Sequence, residues 1–443
     1  MTKRAKILIA AGGAILFLLV LTGAVGAYCL FAFFQARVLF EQGYAAMNKH
    51  DYETAVARFS AALNRPLTAD YRAYAFEDRA FSENAKGKQD DAIRDYTEAL
   101  KINPKLSYAY GERGILYDDK GETDKAFSDF SEAIRLDPNA GQCFFRRGLI
   151  DMRREEWDKA IDDLSEAIRT DPSWSRAYFE RGIAYSRKND LDHALVNFES
   201  AIDLWPTYSA AYVQRGYIFK RKKEPEKALA SFTKAIETAP KHGTGYRARA
   251  FVFNSNKHWS EAIADFSKAI EINSKDITAY EGRAYAYGQM HDDDHAIADF
   301  TEILRIRKST LAYKERAAAY SKKGDYNRAL TDLRDAAAAA PNDAIALTNL
   351  AWLLATCPDP SLRNGEEAVM DARKACDLSN WKNGYAIDAL AAACAETGNF
   401  DLARKYEDNA LGCTNVTKAN SAEMEKRRAL YLTHKPFHRE KAQ

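Results

Sequence analysis

The chain has 443 residues, 64 basic against 63 acidic side chains for a net charge of +1, 47% hydrophobic and 12% aromatic content, six cysteines and 11 prolines. Near-balanced charge excludes a general nucleic-acid binder, which carries a basic excess, and the aromatic content excludes an acidic disordered chain. So few cysteines and prolines exclude a disulfide scaffold and long proline-rich linkers, while the length accommodates about three ordinary domains or one long repetitive one.

Residues 1–6 carry Lys3, Arg4 and Lys6, and residues 7–34 carry no charge. A bilayer core of about 30 Å needs about 20 apolar residues in a helix, so 7–34 is long enough to span with tilt. With its cations on the N-terminal side, the positive-inside rule leaves residues 1–6 in the cytoplasm and carries the rest into a periplasm or another extracytoplasmic space. Two rival readings concern processing. A signal peptide cut after Ala27 would place Val25 and Ala27 at the expected small-residue positions, but it would expose the apolar stretch 28–34, and 7–34 exceeds the roughly 7–15 residues of a signal core. Lipidation at Cys29 meets the bulky Tyr28 where a lipoprotein signal wants a small residue. A single-pass anchor is the expectation.

Residues 73–343 repeat themselves with a period of 34. The clearest units are 110–138 and 178–206. In each, an aromatic residue is followed four positions later by Gly and three after that by Tyr. Twelve positions after the Gly comes Ala, then an aromatic residue, another Ala and a Pro. The Gly slot holds Ala80, Gly114, Gly148, Gly182, Gly216, Ala250, Ala284 and Ala317. This pattern describes a pair of antiparallel helices: small slots let the two approach, aromatic slots fill the space toward the next pair, and polar turns such as Lys120-Gly121-Glu122 join them. Pro104, Pro138, Pro172, Pro206, Pro240 and Pro341 stop the second helix of each pair. One pair cannot bury its apolar face alone, but a stack can.

These residues resemble the tetratricopeptide repeat (TPR) family, whose W/Y/F…L/R-G…Y…A…F…A…P pattern recurs eight times between 73 and 343. A further copy upstream carries Gly43, Ala55, Phe59, Ala62 and Pro66. Two looser copies follow, one with Leu347, Ala351, Ala368 and Ala372 and an inserted loop at Cys357–Ser361, the other with Ala391, Phe400, Ala403 and Ala410. The resemblance implies an all-α, right-handed α-solenoid of TPR helix–turn–helix units over 36–417. Its units are expected at 36–69, 73–106, 107–140, 141–174, 175–208, 209–242, 243–276, 277–309, 310–343, 344–382 and 384–417. The charged stretch 418–443 is a tail or capping helix. No Gly/Ser linker separates the anchor from the first helix, so the repeats would stand off the membrane in a restricted orientation.

An arginine precedes the Gly slot in all eight central units (Arg79, Arg113, Arg147, Arg181, Arg215, Arg249, Arg283 and Arg316), and in six of them an Asp stands 16 positions later. That offset puts the acid on the second helix facing the first, which favours an internal ion pair over a ladder for anionic ligands. Arg181 and Arg215 face Asn197 and Ser231 instead, leaving them least accounted for. In the family the first helices line a groove. By that resemblance, Phe145, Phe179 and Val213 would form its floor, edged by Arg153, Arg187 and Arg221 with Arg154, Lys188 and Lys222 beside them; one unit earlier the edge holds Asp118 and Asp119. Such a groove would grip an extended or helical peptide bearing acidic groups, unless these cations are only the solvated turn between helices. The family's carboxylate clamp is not carried over, because Asn349 alone occupies a comparable slot.

Residues 291–295, His-Asp-Asp-Asp-His, fall in an inter-helix turn where Asp293 or Asp294 would cap the second helix rather than hold a metal. No phosphate loop, HExxH or CxxC stands in the sequence. Cys357, Cys376, Cys394 and Cys413 cluster near the end, either as one disulfide in an oxidising compartment or as small apolar fillers, the latter fitting Cys143 as well.

The expected function is a membrane-anchored scaffold that binds proteins or peptides and organises an envelope-associated assembly. No catalysis, cofactor, metal or nucleic-acid partner is expected. The alternatives are a non-catalytic accessory of an envelope enzyme or secretion complex, or a cytoplasm-facing adaptor. An appended enzyme would need about 100–200 residues, far more than the tail provides.

Overall fold

The computed structural model describes residues 26–28 and 30–440, and among them no strand occurs. Helices follow one another as hairpins. The first pair is α1 (30–48) and α2 (Tyr52–Leu63). Then come α3 and α4 (Ala69–Ala85, Gln89–Ile102), α5 and α6 (Ser107–Asp119, Thr123–Leu136), α7 and α8 (Gly141–Arg153, Trp157–Thr170), and α9 and α10 (Ser175–Arg187, Leu191–Leu204). The series continues with α11 and α12 (Ser209–Arg221, Pro225–Thr238), α13 and α14 (Gly243–Ser255, Trp259–Ile272), and α15 and α16 (Ile277–Gln289, Asp293–Ile306). It ends with α17 and α18 (Thr310–Lys322, Tyr326–Ala339), α19 and α20 (Ala344–Thr356, Gly365–Leu378), α21 and α22 (Gly384–Glu396, Phe400–Leu411) and a last helix, α23 (Lys418–Leu432). These residues form two compact units, one ending at Gln214 and one beginning at Arg215, so the division falls within α11.

Each slot of the 34-residue pattern has a packing reason. The ring four positions after the first Ala slot is fully buried at Phe59, Tyr96, Phe130 and Phe198 in the first unit, and at Phe232 and Phe266 in the second. Burying one such ring is worth about 1.5–3 kcal/mol, which holds the hairpins in register. The ring lies so close to the first helix that a Cβ on Gly114 would meet Phe130 at 2.8 Å and one on Gly182 would meet Phe198 at 2.7 Å. In every hairpin but α19–α20 the turn passes through a left-handed residue, which is glycine at Gly87, Gly121, Gly324 and Gly398 but His50, Glu155, Asn189, Lys223, Lys257 and His291 elsewhere. The second helices α4, α6, α8, α10, α12 and α18 each stop two residues before the proline that the pattern places there.

In the second unit the turn after α19 is lengthened by a single 3-10 turn, Pro360–Leu362, before α20 begins. The helix α23 packs on α22, with Met424 and Tyr431 fully buried. The chain then folds back: Phe437 lies 6.0 Å from Trp352, His438 Nε2 is 2.7 Å from Glu396, and the Arg439 amide donates to the Thr356 carbonyl at 2.9 Å. The tail is therefore a helix plus a returning strap.

No helix among the described residues is long and apolar enough to cross a membrane. Residues 1–6, most of the expected span 7–34, and Cys29 lie outside the described residues. What is described of that span is helical at 26–28 and 30–34, and it leaves Tyr28, Leu30, Phe31 and Phe34 largely exposed. Residues 30–34 are the start of α1, whose Gly43 faces Phe59.

Candidate functional site

The recurrent arginine joins hairpins together. In the first unit Arg79, Arg113 and Arg147 each hold the Asp 16 positions later through two hydrogen bonds of 2.7–2.8 Å, to Asp95, Asp129 and Asp163. In the second unit Arg249, Arg283 and Arg316 hold Asp265, Asp299 and Asp332 at 2.6–3.0 Å. The remaining guanidinium nitrogen reaches a hydroxyl of the preceding hairpin: Ser60 from Arg79, Thr97 from Arg113 and Ser131 from Arg147. That hydroxyl column stands 16 to 19 residues upstream of the arginine and carries no distinctive signal in the sequence. Bidentate pairs buried between helices are structural, so these arginines are not free for a ligand.

Where the Asp is missing, a neutral group takes its place. Arg181 Nε donates to Asn197 Oδ1 at 2.8 Å and its Nη1 to Ser165 at 2.9 Å, while Arg215 Nε donates to Ser231 at 3.2 Å. Without a carboxylate, burial pulls the Arg181 guanidinium below its ordinary value, whereas the hydrogen bond to Asp163 raises that of Arg147.

The expected groove floor is largely closed. Phe145 is 2% exposed, packed 4.4 Å from Trp174 with Arg176 over its ring, and Val213 is also buried. Phe179 is half-buried between Phe198 and Tyr208. These three therefore serve as packing between hairpins, because an aromatic residue one turn before the Gly slot falls against the following inter-hairpin loop. The expected cationic edge is also mostly engaged. Arg153 donates to Asp118 at 2.5 Å and Arg154 to Asp124 at 2.6 Å, and Lys188 pairs with Asp158. With Lys120 and Asp90 in the first unit and Lys323 and Asp294 in the second, the Arg154 and Lys188 pairs form rungs from the end of one first helix back to the preceding second helix, whereas Arg153 reaches the preceding first helix, α5. Arg187 is exposed at the end of α9 and makes no ion pair or hydrogen bond with any described residue; Arg221 is exposed at the end of α11.

A different zone on the first helices is poor in partners. On α3, Glu77 is 8% exposed yet its Oε1 has no hydrogen bond, and burial pushes its carboxyl up to about 7 and that of Asp78 up to about 6. On α5, burial raises Glu112 as well, and Tyr108 stands half out in solvent beside it. Next to them a cavity of about 500 Å³ is lined by Tyr108, Gly111, Glu112, Asp137 and Cys143. In the second unit a cavity of about 330 Å³ lies between Glu281, Tyr285, Leu311 and Glu315, and one of about 310 Å³ collects Lys314, Lys322, Asn349, Trp352 and Arg439. Asn349 thus does have cations nearby, but Lys314 is bound to Asp343 at 2.8 Å and Lys322 stands 3.7 Å from Asp293.

The pattern of hairpins can now be set beside known families. A tetratricopeptide repeat model matches residues 107–140 and 209–242, and a second model of the same repeat matches 145–209. The chain carries tetratricopeptide repeats at 107–140 and 145–242. Solved structures similar to it include MamA, 27% identical over 37% of this chain and 95% of that one, with a TM-score of 0.35. YrrB, described as a TPR protein with an unusual peptide-binding site, is 20% identical over 42% of this chain and 97% of that one, with a TM-score of 0.38. The C-terminal part of a TPR protein from Cytophaga hutchinsonii is 19% identical over 55% of this chain and 98% of that one, with a TM-score of 0.46. A search of curated proteins finds no match. TPR proteins generally bind proteins or peptides and scaffold assemblies, and neither matched repeat model describes an enzyme.

Two motifs read from the sequence belong to the TPR turns. Asp292, and not Asp293 or Asp294, caps α16, accepting from the His295 amide and meeting His295 Nδ1 at 2.7 Å while that ring stacks on Tyr287. The same Asp–His–Tyr arrangement recurs at Asp190, His193 and Tyr185. Cys143, Cys357, Cys376, Cys394 and Cys413 are all free thiols, and burial pushes Cys143 and Cys394 up to about 11.

Proposed function

We propose that this TPR protein is a membrane-anchored, non-catalytic scaffold whose first helices present a face for protein or peptide segments and organise an envelope-associated assembly. The observation that carries the binding part is the contrast between two sets of charges. The recurrent arginines are consumed in holding the stack, whereas exposed tyrosines of the first helices line open cavities beside carboxylates, Glu112, Glu281 and Glu315, that have no ion-pair partner among the described residues. A scaffold gains affinity by such preformed hollows, since little has to be ordered on binding. Acidic groups of a partner would be met at α9 by Arg187, the groove-edge cation with no internal carboxylate. Arg187→Glu is expected to weaken the complex with a partner recovered by crosslinking from the native membrane about tenfold, read by pull-down of the two purified proteins; undiminished binding removes Arg187 from the interface.

The anchor reading is supported by the uncharged run 7–34 behind Lys3, Arg4 and Lys6, and by the exposed Leu30, Phe31 and Phe34 on a helix continuous with the first repeat. Because no flexible linker intervenes, an anchored helix would fix the first hairpin's orientation to the bilayer. A reporter enzyme active only outside the cytoplasm, fused after residue 443, is expected to be active. A silent reporter in cells that make the full-length fusion would place the repeats in the cytoplasm and favour the adaptor alternative.

A further inference from the structure

We propose that the first unit takes a cationic side chain of a partner polypeptide, lysine or arginine, between α3 and α5, with Glu77, Asp78 and Glu112 as counter-ions and Tyr108 as the aromatic wall. This rests on the groove-binding reading above and names what the groove accepts at one place.

Carboxylates buried elsewhere in this unit are matched. Asp95, Asp129 and Asp163, each less than a tenth exposed, are held by an arginine through both oxygens. Glu77 is as deeply buried, yet it has no cation, and its Oε1 is shut from solvent without a hydrogen bond. Asp78 and Glu112 make no ion pair either. Arg146 acts on Glu112 without an ion pair between them, and it stands 4.0 Å from Asp118. The Ala109 amide serves the Glu77 carboxylate but no cation does; a carboxylate stripped of water without a counter-ion is costly, and an incoming cation repays that cost only if it enters the same cleft.

Tyr96 is an independent sign. Its slot holds Phe or Leu in the other central repeats, so the stack needs only the ring. Here a hydroxyl has been added, fully buried and without a hydrogen-bond partner. Burial first, and then the charges of Glu112, Glu77 and Asp78, hold this hydroxyl above the ordinary tyrosine value. The shape agrees. Gly111 stands in the slot that carries Glu77 one repeat earlier and Phe145 one repeat later, and a hollow of about 500 Å³ opens on the α7 side of α5, lined by Tyr108, Gly111 and Glu112 together with Asp137 and Cys143. A Cβ there would press on Cys143 Sγ at 3.0 Å. Tyr108 is 52% exposed, leaving its face open to a cation held by the carboxylates. No group of three or more acidic, His or Cys side chains among the described residues is placed to hold a metal ion, so the fit is to an extended organic cation.

The test uses the full chain in detergent and two fluorescent decapeptides of alternating leucine with lysine or with glutamate, read by anisotropy. The lysine peptide is expected to bind and the double variant E77Q/E112Q to weaken it at least tenfold. A control pair removing the same charge from exposed positions, E98Q/E132Q, is expected to change affinity less than twofold. Tyr96→Phe is expected to keep the melting temperature of the parent, or raise it, while weakening the lysine peptide two- to fivefold. Equal losses in the site and control pairs would reduce the effect to net charge and overturn the proposal, as would tight binding retained by E77Q/E112Q. Spermidine displacing the peptide at equal charge concentration would overturn the assignment to a polypeptide. If only the glutamate peptide binds, and loses affinity with Arg187→Glu, the groove reading stands and the cationic cleft falls. If neither peptide binds, both fall.

Discussion

Arg147→Leu is expected to destabilise the first unit by about 3–5 kcal/mol, the cost of leaving one member of a buried ion pair behind. The guanidinium serves three groups at once: both oxygens of Asp163 at 2.7 and 2.8 Å, and Ser131 of the preceding hairpin at 3.1 Å. Its plane also sits near the rings of Phe127 and Phe144. Removing it strands Asp163, which is 7% exposed, against apolar helices. Because a repeat array is stabilised mainly between neighbours, the loss should appear as early unfolding of α5–α8 in hydrogen exchange rather than as a uniform shift. The double variant R147L/D163L is expected to recover most of the loss, because the pair contributes little net energy once neither charge remains. If R147L/D163L is as unstable as R147L, the destabilisation comes from lost packing and not from the stranded carboxylate.

The same residues show what could be read from the sequence. Each slot of the 34-residue period has one packing task, so the helices, the proline stops and the Arg–Asp offset of 16 were all legible before any coordinates. The hydroxyl column at Ser60, Thr97 and Ser131 is less legible, because a serine or threonine on a helix reads equally well as solvated. The groove was less legible for a physical reason. Phe145 and Val213 were assigned by slot, but exposure depends on the neighbouring inter-hairpin loop, and Trp174 closes over Phe145. Glu77, Asp78 and Glu112 leave no trace in spacing, since what distinguishes them is burial without a partner. A tyrosine in a column of Phe and Leu, Tyr96, was the available signal. The returning strap was invisible because its contacts, such as His438 with Glu396, join residues 42 apart outside the repeat period.

Those aperiodic C-terminal contacts enclose the second large expected effect. Glu407→Gln is expected to leave stability near that of the parent at pH 4.5 and to exceed it increasingly as pH rises. Glu407 on α22 is fully buried, 3.5 Å from Arg427 Nε on α23, but Arg427 gives its two short hydrogen bonds, 2.9 and 3.0 Å, to Asp388 on α21. One guanidinium thus faces two carboxylates, with the unpartnered Tyr431 hydroxyl also buried nearby. Burial, and then the Asp388 charge, raise Glu407 well above its ordinary 4.5, so the folded protein keeps it protonated. The unfolded chain releases that proton above about 4.5, so over that range the folded state binds more protons and stability falls with rising pH, by at most about 1.4 kcal/mol per unit. The glutamine keeps the neutral shape and a donor for Asp388 but has no proton to lose, so its pH slope over α21–α23 should flatten. Denaturant unfolding followed by exchange at the amides of these three helices, from pH 4.5 to 8.5, reads the slope directly. An unchanged slope in the variant would mean that Glu407 is ionised in the folded state and that Arg427 neutralises both acids, in which case Arg427→Leu should release α23 altogether.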